Sequence, residues 1–531
     1  MTEVRRPTCP HPVFQNAALE RSTEFRMKRT SHLILTPGAF CVMLIGPCLA
    51  NAEETLVPVD QHELNALVEN GQGAEAFARA FEAGDVLSEF SFTADQGVGA
   101  NVGESRRFTR IPRADLNGPG EWATHFPSRE GGANALSCLS CHNAPYANGG
   151  GGVAANVVLD PGHSGDPKQY LERNTTSLFA LSVPQRLAEE MSIELELQRD
   201  DAQARACSNG SAVSSLSAKD VFFGTLVVTR TRVDPCVLDV DTTGIAGVDG
   251  DLVVKPFGWK GNHATLRAFT RGAAHNELGL QATELVGMQD GDFDGVINEL
   301  SVGDVTALTV YMAALERPVS RLELAELGWA TLSREETDAI TAGKQQFAEI
   351  GCTSCHTPRM ALNDPVFREP SGVKGFSEDL LPDGSVPAAR GLTARTAISF
   401  DMRSDQPNNR VRLKDGRPYH MGALQTDPSG AAFAEWYSDL KRHDMGPGLA
   451  DPSDPLGLGA TMFLTRSLAG VGMSGPWLHD GRATTLNEAI LAHGGEARAI
   501  RDTYATLPDQ DRSDIVAFLE NLIVFKANPT H

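Results

Sequence analysis

The sequence predicts a mainly α-helical protein that is built from two related halves, with a small β insertion in the first half. Several segments repeat apolar residues with the spacing of an amphipathic helix. One five-residue cysteine–histidine motif occurs once in each half, and a similar second segment follows each copy of it. These observations indicate an internal duplication of a helical unit.

The length and charge of the chain limit the classes of protein to which it can belong. The chain has 531 residues, 41% of them hydrophobic, which is enough for two or three packed domains. Its net charge is −22, and a surface this acidic repels phosphate backbones, so no nucleic acid partner is expected. No apolar run is long enough to span a bilayer, and the 51 glycines and 30 prolines favour many turns and long connections.

The N-terminal region has the layout of an export signal. Met27 opens a basic segment at 28–29, an apolar run follows at 33–49, and small residues stand at 50 and 52. We therefore expect Met27 to be the true start and residues 1–52 to be removed. The mature protein is expected to be periplasmic.

Each half carries a C-x-x-C-H motif. Two intervening residues place both sulfurs on one short turn, from which they reach the two vinyl groups of one porphyrin, while the adjacent histidine binds the iron. A zinc site would need further paired ligands, and a redox dithiol would lie in a βαβ unit without a required histidine. Two covalently bound c-type haems are therefore predicted. Their attachment cysteines and proximal ligands are Cys138, Cys141, His142, Cys352, Cys355 and His356.

The two remaining cysteines of the mature chain are Cys207 and Cys236. In an exported protein they are expected to form a disulfide. The alternative is a pair of buried thiols that pack as small hydrophobic side chains.

The duplication also predicts the domain organisation. Trp259–Leu266 aligns with His479–Leu486, at a nearly equal distance from the preceding haem motif. An apolar-periodic helix closes each half downstream, and Pro318 marks the boundary between the halves. We expect two cytochrome c-like haem domains, 53–318 and 319–531.

Individual elements follow from local patterns. The first-half insertion, about 197–258, contains the β-branched run Val221–Val233 and the short run Leu252–Val254. It is expected to form a small β elaboration that Cys207 and Cys236 join. Apolar periodicity predicts helices at 184–198, 304–315, 340–350 and 514–522.

Four motifs carry a family resemblance: Phe257–Lys260, His443–Gly448, Leu478–Leu486 and His493–Ala497. With them the sequence resembles the bacterial di-haem cytochrome c peroxidase superfamily. It resembles most closely the di-haem oxidoreductase branch, which is labelled as peroxidase or thiol oxidoreductase. The resemblance covers about 107–525, and no residue supports thiol oxidation.

The resemblance implies the ligands of the second haem. In that superfamily the sixth ligand stands fourteen places beyond the histidine of the HDG motif, and fourteen places beyond His479 this chain has His493. We therefore expect coordination by His356 and His493, with a lower potential than a methionine ligand would give. A surface or helix-capping histidine is the alternative for His493, and His479 is expected to pack at the haem edge.

The first haem is where the family places peroxide chemistry, and here the match is looser. His163 precedes Arg173 much as the family's distal histidine precedes its own arginine, so His163 is a candidate removable ligand. The family's acid/base residues are absent from their usual positions after Trp259, and His275 and Glu277 are the nearest replacements. A structural histidine and a solvated carboxylate are the alternatives. The resemblance implies that Trp259 relays electrons between the haems, and plain core packing is the alternative.

The acidic loop 290–299 has the spacing of a calcium loop. Acidic residues stand at positions 1, 3 and 5, a glycine stands at 6, and a backbone carbonyl is available at 7. The bidentate glutamate at position 12 is absent. A capped acidic turn before a helix at Val302 is the alternative to calcium. The candidate ligands are Asp290, Asp292, Asp294, Val296 and Glu299.

Together these features predict a periplasmic di-haem c-type cytochrome oxidoreductase that is peroxidase-like. Hydrogen peroxide or another small oxidant would react at the first haem, with electrons relayed through the second from a small redox protein. One alternative is an electron carrier without a substrate site. Another is oxidative maturation of a partner protein, which the methylamine-utilisation enzyme suggests but which is weaker because that enzyme has Tyr where this chain has His493.

Overall fold

The structure is a computed structural model that describes residues 56–99, 134–161, 166–292, 294–404, 410–413 and 416–526. Helix is the main regular structure in these residues, as the sequence predicts. No helix in these ranges is long and apolar enough to cross a membrane. The α-helices are α1 (Gln61–Glu69), α2 (Gly73–Glu89), α3 (Ser182–Asn209), α4 (Leu266–Ala273), α5 (Thr283–Val286), α6 (Val302–Ala314), α7 (Arg321–Glu326), α8 (Arg334–Glu349), α9 (Leu486–Ala492), α10 (Arg498–Thr506) and α11 (Asp509–Asn521).

Each half contains a pair of helices that cross at a glycine. In the first half α2 packs on α6, and a Cβ at Gly84 would collide with the carbonyl oxygen of Ala307. In the second half α8 packs on α11, and a Cβ at Gly343 would collide with the carbonyl oxygen of Asp514. Only glycine allows such a close approach of two backbones. The predicted closing helices are thus α6 and α11, and the predicted helix before the second haem motif is α8.

The β insertion of the first half follows α3. This helix continues to Asn209, beyond the predicted end at 198, because its last turns are rich in helix-forming residues and Arg205 forms an ion pair with Asp201 one turn earlier. A three-stranded antiparallel sheet follows, in the order β3 (Ser211–Ala218), β4 (Val221–Arg232) and β5 (Val237–Asp241). A disulfide joins Cys207 at the end of α3 to Cys236 before β5, so that prediction is confirmed.

One predicted strand of the insertion is wrong. Leu252–Val254 is irregular backbone, and Leu252 adopts a left-handed conformation with φ 63°. All three side chains are buried in the main core. Burial explains why these residues are apolar without belonging to a sheet, since a short apolar run does not distinguish a strand from a buried loop.

Short strands also occur in the second half, where the sequence analysis predicts only helices. All have two to four residues and pair in antiparallel fashion, so they are too short to show an alternating pattern. The strands are β1 (Val157–Leu159), β2 (Leu171–Arg173), β3 (Ser211–Ala218), β4 (Val221–Arg232), β5 (Val237–Asp241), β6 (Val319–Ser320), β7 (Arg359–Leu362), β8 (Val366–Glu369), β9 (Ile398–Asp401), β10 (Arg410–Arg412), β11 (Pro418–His420), β12 (Gln425–Thr426), β13 (Ala432–Glu435), β14 (Arg442–Asp444), β15 (Met462–Leu464) and β16 (Leu522–Ile523).

The largest hydrophobic cluster joins helices of the first half to strands of the second. It contains side chains of α3, α4 and α6 together with those of β7, β8 and β13. A second cluster surrounds α8 and α11 and includes Phe347 and Phe518. The domain boundary at Pro318 stays a prediction.

A buried ion-pair network fixes α4 to its neighbours. Arg267 of α4 binds Glu284 of α5 and Glu369 of β8, and it donates a hydrogen bond of 2.8 Å to Thr306 of α6. All three charged side chains are at most 5% exposed. The network holds α4 in place, and α4 forms part of the wall of a cavity.

Candidate functional site

Both cysteine–histidine motifs fold into the same short turn. A 3₁₀ turn spans Cys138–Ser140 in the first motif and Cys352–Ser354 in the second. In each turn the amide of the motif histidine donates a 3.0 Å hydrogen bond to the carbonyl of the first cysteine. Burial raises the pKa of Cys138 to about 11 and that of Cys352 to about 12, so both are neutral thiols.

The two motif histidines are oriented in the same way. The Nδ1 of His142 donates to the carbonyl of Thr176 at 2.9 Å, and the Nδ1 of His356 donates to the carbonyl of Tyr437 at 3.2 Å. Burial lowers the pKa of each histidine to about 4, so both rings are neutral. This arrangement leaves Nε2 as the metal-binding nitrogen, with the backbone carbonyl fixing the ring.

Each motif opens into its own cavity. The first cavity has a volume of about 260 Å³ and the second about 280 Å³, and apolar side chains make up most of both walls. Two thiols on one turn, a neutral histidine and an apolar cavity are the features that a covalently attached haem requires, so the residues present fit one haem in each cavity. The two cavities share part of their walls, which Asn174, Thr175, Thr176, Trp259 and Arg466 form.

His493 faces the motif histidine across the second cavity. It follows α9 directly, and its Nδ1 donates to the carbonyl of Ala489 at 2.8 Å. The ring centroids of His356 and His493 are 6.5 Å apart. A metal–imidazole bond of about 2 Å on each side would separate two axial rings by little more than about 6 Å. The spacing therefore suits two imidazoles on opposite sides of one metal ion.

The internal repeat is visible in the backbone beside both cavities. Phe257 forms an antiparallel bridge with His263 in the first half, and Trp477 forms the same bridge with Ala483 in the second. A threonine hydroxyl caps the following helix in both halves, from Thr265 on α4 and from Thr485 on α9. Each of these pairs is separated by the same number of positions, so α4 and α9 are equivalent helices.

The equivalent helices place different residues in the two cavities. The same sequence offset relates His493 in the second cavity to Ala273 in the first, and both line their cavities. It also relates Ala489 to Phe269, which are wall residues too. The first cavity thus has a methyl group and a phenyl ring where the second has an imidazole and a methyl group.

The predicted acid/base residues of the first cavity lie on a wide helical turn. The segment 274–278 is a π-helical turn, a feature that is frequent at functional sites. Glu277 lines the cavity, whereas His275 is buried in the same turn and does not line it as the structure describes it. His263, which the sequence analysis did not select, also lines it, and burial lowers its pKa to about 4. The predicted ligand His163 lies outside the described residues.

Trp259 lies in the wall that both cavities share. Its indole Nε1 donates to the carbonyl of Asn174 at 3.1 Å. The ring of His479 stacks on Phe463, with centroids 4.4 Å apart, and meets Trp259 edge-on at 6.4 Å. His479 therefore packs beside the second cavity, the position that the sequence analysis expects for it.

Sequence reasoning did not assign a role to His443, which lines the second cavity. Its Nε2 lies 2.8 Å from Asp439 and its Nδ1 lies 2.8 Å from Glu496. Burial opposes protonation of His443, but the hydrogen bonds to Asp439 and to the Cys355 sulfur outweigh it and raise the pKa to about 11. His443 is therefore a cation between two carboxylates, and one of these belongs to the loop that carries His493.

The acidic loop brings three carboxylates together. Ligand atoms of Asp290, Asp292 and Asp294 lie within 4.8 Å of one another. Asp290 also accepts hydrogen bonds of 3.0 Å from the amides at 294 and 295, and Glu299 accepts one of 2.7 Å from the amide of Gln281. Such bonds are those of a capped turn, so calcium binding stays a prediction.

Comparisons with known proteins agree with this site. Residues 421–522 match the family model described as di-haem oxidoreductase, putative peroxidase. A stretch of 189 residues is 32% identical to the methylamine utilization protein MauG of Methylorubrum extorquens, covering 31% of this chain and 49% of that protein. The resemblance to the di-haem oxidoreductases is confirmed. This chain thus spans about half the length of the curated relative that it matches.

Two solved structures show weaker similarity to this chain. Hydrazine synthase of Kuenenia stuttgartiensis is 18% identical, with a TM-score of 0.23, over 44% of this chain and 59% of that one. A MauG-like protein associated with microbial copper homeostasis is 17% identical, with a TM-score of 0.25, over 50% of this chain and 68% of that one.

Proposed function

We propose that the protein is a periplasmic di-haem c-type oxidoreductase with two cytochrome c-like domains. It reduces hydrogen peroxide, or another small oxidant, at the first haem with electrons that pass through the second. The difference between the two cavities carries this proposal, because the second presents His493 where the first presents Ala273. His356 and His493 would together hold a haem iron and leave no room for a substrate there, whereas Ala273 would leave room for a small molecule in the first cavity.

The residues of the first cavity have separate tasks in this function. When bound, the haems supply iron that exchanges single electrons and accepts an oxygen ligand. Reduction of one hydrogen peroxide to two waters consumes two electrons and two protons, which a donor protein and solvent supply. Glu277 in the cavity wall takes the proton from one peroxide oxygen and returns it to the leaving oxygen. His275, the other predicted base, is buried in the same turn but does not line the cavity as described, so Glu277 is the better placed of the two.

The second cavity and the shared wall have the features of an electron path. His356 and His493 would both hold the haem iron of this cavity, which would favour electron transfer over substrate binding. Trp259 places an aromatic ring in the wall between the cavities. A small redox protein with a basic surface would suit the net charge of −22. The disulfide supports an oxidising compartment such as the periplasm.

The test adds the missing imidazole to the first cavity. In Ala273→His the new side chain competes with peroxide, and we expect the rate of peroxide consumption to fall at least about tenfold, which corresponds to about 1.4 kcal/mol. The spectrum of the second haem should not change. Ala273→Gln is the matched control, because it adds similar volume without an imidazole.

Two results would contradict the proposal. One is a wild-type protein that carries both haems but consumes no peroxide with any electron donor, as a pure electron carrier would. The other is an equal loss of rate in Ala273→His and Ala273→Gln, which would show that added volume alone is responsible.

A further inference from the structure

Arg466 occupies the wall between the two cavities. Its side chain lines both of them, and its guanidinium lies 5.4 Å from the centre of the Trp259 ring. One nitrogen donates a hydrogen bond of 3.3 Å to the hydroxyl of Thr176. The carbonyl of this threonine holds Nδ1 of His142, so the guanidinium is linked through one residue to the proximal histidine of the first cavity.

The other cations of this region already have a carboxylate partner. Arg173 binds Asp451 with two hydrogen bonds, at 2.9 and 2.8 Å. Lys260 lies 3.1 Å from the same carboxylate and also donates to the carbonyls of 459 and 460. Within the ranges that the structure describes, no carboxylate lies within ion-pair distance of Arg466. Burial is the sole cause of its lowered pKa, about 10, which still leaves it charged at neutral pH.

An arginine in this position needs an anion. A buried guanidinium is costly unless it is paired, and its planar set of donors matches the oxygens of a carboxylate or a phosphate. The described chain supplies no such group to Arg466, so the anion must come from what the cavities contain. The only carboxylates of a c-type haem are its two propionates.

We propose that Arg466 binds a haem propionate in the wall between the cavities and thereby favours the reduced form of the adjacent haem. This inference rests on the proposed function, because it requires haem in both cavities. A cation close to a haem stabilises the ferrous state, which carries one positive charge less than the ferric state. A free small carboxylate would have the same chemistry as a propionate, so the experiment must distinguish these two sources.

The experiment is a redox titration of the haem-loaded protein, followed by the absorbance of each haem. In Arg466→Gln, we expect the ratio of ferric to ferrous haem at a fixed potential to rise about tenfold at one haem or both, which is about 59 mV for one electron. Arg466→Lys keeps the charge and should stay within about threefold of the wild type. Arg498→Gln removes an equal charge from an exposed side chain of the same half and should have no effect.

Added acetate identifies the source of the anion. If the partner is a propionate, acetate leaves the wild-type titration unchanged. If acetate shifts the wild-type titration and this response is lost in Arg466→Gln, a diffusible carboxylate occupies the site and the propionate assignment is wrong. An Arg466→Gln titration that overlays the wild type, with both haems present, would overturn the anion site itself and leave the proposed function intact.

Two further controls keep the test decisive. The haem content is measured first by the pyridine haemochrome spectrum, and fewer than two haems in the wild type would refute the proposed function and this inference together. If Arg466→Gln does not retain both haems, wild-type protein with ¹³C-labelled propionate carboxyls is examined by infrared difference spectroscopy. An ionised propionate from pH 5 to pH 8 supports the pairing, and a propionate that takes up a proton in this range overturns it.

Discussion

His443 provides a quantitative test of the second cavity. Its ring bridges Asp439, which is 1% exposed, and Glu496, whose side chain is 52% exposed. Replacement by leucine, His443→Leu, preserves bulk but removes the cation. The exposed carboxylate can be rehydrated at little cost, whereas the buried one cannot. Nearly all of the loss in folding free energy should therefore come from Asp439.

The size of this loss has an upper limit. Removing one partner of a buried ion pair costs about 3–5 kcal/mol. A carboxylate can escape an unfavourable site by taking up a proton, which for an aspartic acid with an ordinary pKa of about 3.9 costs about 4 kcal/mol at pH 7 and about 1.5 kcal/mol at pH 5. We therefore expect His443→Leu to lower the free energy of unfolding by about 3–4 kcal/mol at pH 7 and by about 2 kcal/mol less at pH 5.

At alkaline pH the stabilising effect of His443 depends on the protonation of the histidine itself. The pKa of His443 is raised from 6.5 to about 11. Its stabilising contribution is thus fully present below about pH 6.5 and is lost as the pH rises towards 11. The difference in free energy of unfolding between the wild type and His443→Leu should be largest near neutral pH and should become smaller at acidic and at alkaline pH.

Urea denaturation of the haem-loaded proteins from pH 5 to pH 10, followed by circular dichroism, measures this profile. Glu496→Gln is the control, and we expect it to cost less than about 1 kcal/mol. A His443→Leu penalty that is below about 1 kcal/mol at pH 7, or that does not vary with pH, would refute the reasoning.

Three further predictions concern stability and metal binding. Arg267→Met leaves Glu369 buried without a cation and leaves Glu284 with Arg271 alone, so the free energy of unfolding should fall by about 3–5 kcal/mol in urea denaturation, and a loss below about 1 kcal/mol would contradict the network. Reduction of the Cys207–Cys236 disulfide should lower stability by about 2–4 kcal/mol without changing the absorbance of either haem, and an altered haem spectrum would show that the insertion supports the cavities. Calcium should raise the melting temperature of the wild type and not of a variant in which Asp292 is replaced by Asn, whereas equal melting curves with calcium and with a chelator would favour the capped turn.

The parts of the site that could be predicted are those that depend on local spacing. Both haem-motif turns have the geometry that C-x-x-C-H requires, and His493 faces His356 where the HDG offset predicts. The disulfide follows from two remaining cysteines in an exported chain. In each case a short pattern or a count determines the contact.

The missed parts depend on contacts between distant positions. Arg466 meets Thr176 and Trp259 only after the two halves have packed, and only the folded arrangement of the described residues shows that none of their carboxylates pairs with it. His443 and Glu496 stand far apart in the sequence and neither belongs to a recognisable pair. The sequence analysis does not predict the short strands of the second half, because strands of a few residues show no alternation.

The crossing glycines are a signal that sequence reasoning could have used. Gly84 and Gly343 each follow an alanine in a helix that precedes a haem motif. The sequence analysis does not predict α2, because the distance from α2 to the first haem motif is much longer than the distance from α8 to the second. The equivalence of Ala273 and His493 could also have been predicted from the sequence, because the offset between the two aligned segments relates these two positions.

The central claim is that the two haem sites differ in their open positions. Electron paramagnetic resonance of the ferric, haem-loaded protein, recorded before and after addition of hydrogen peroxide, tests it most directly. The account predicts one low-spin signal from the site of His356 and His493 and one high-spin signal from the site of His142, of which only the high-spin signal changes rapidly with peroxide. Two low-spin signals that do not change on addition of peroxide, in the ferric and in the half-reduced protein, would contradict this difference between the sites.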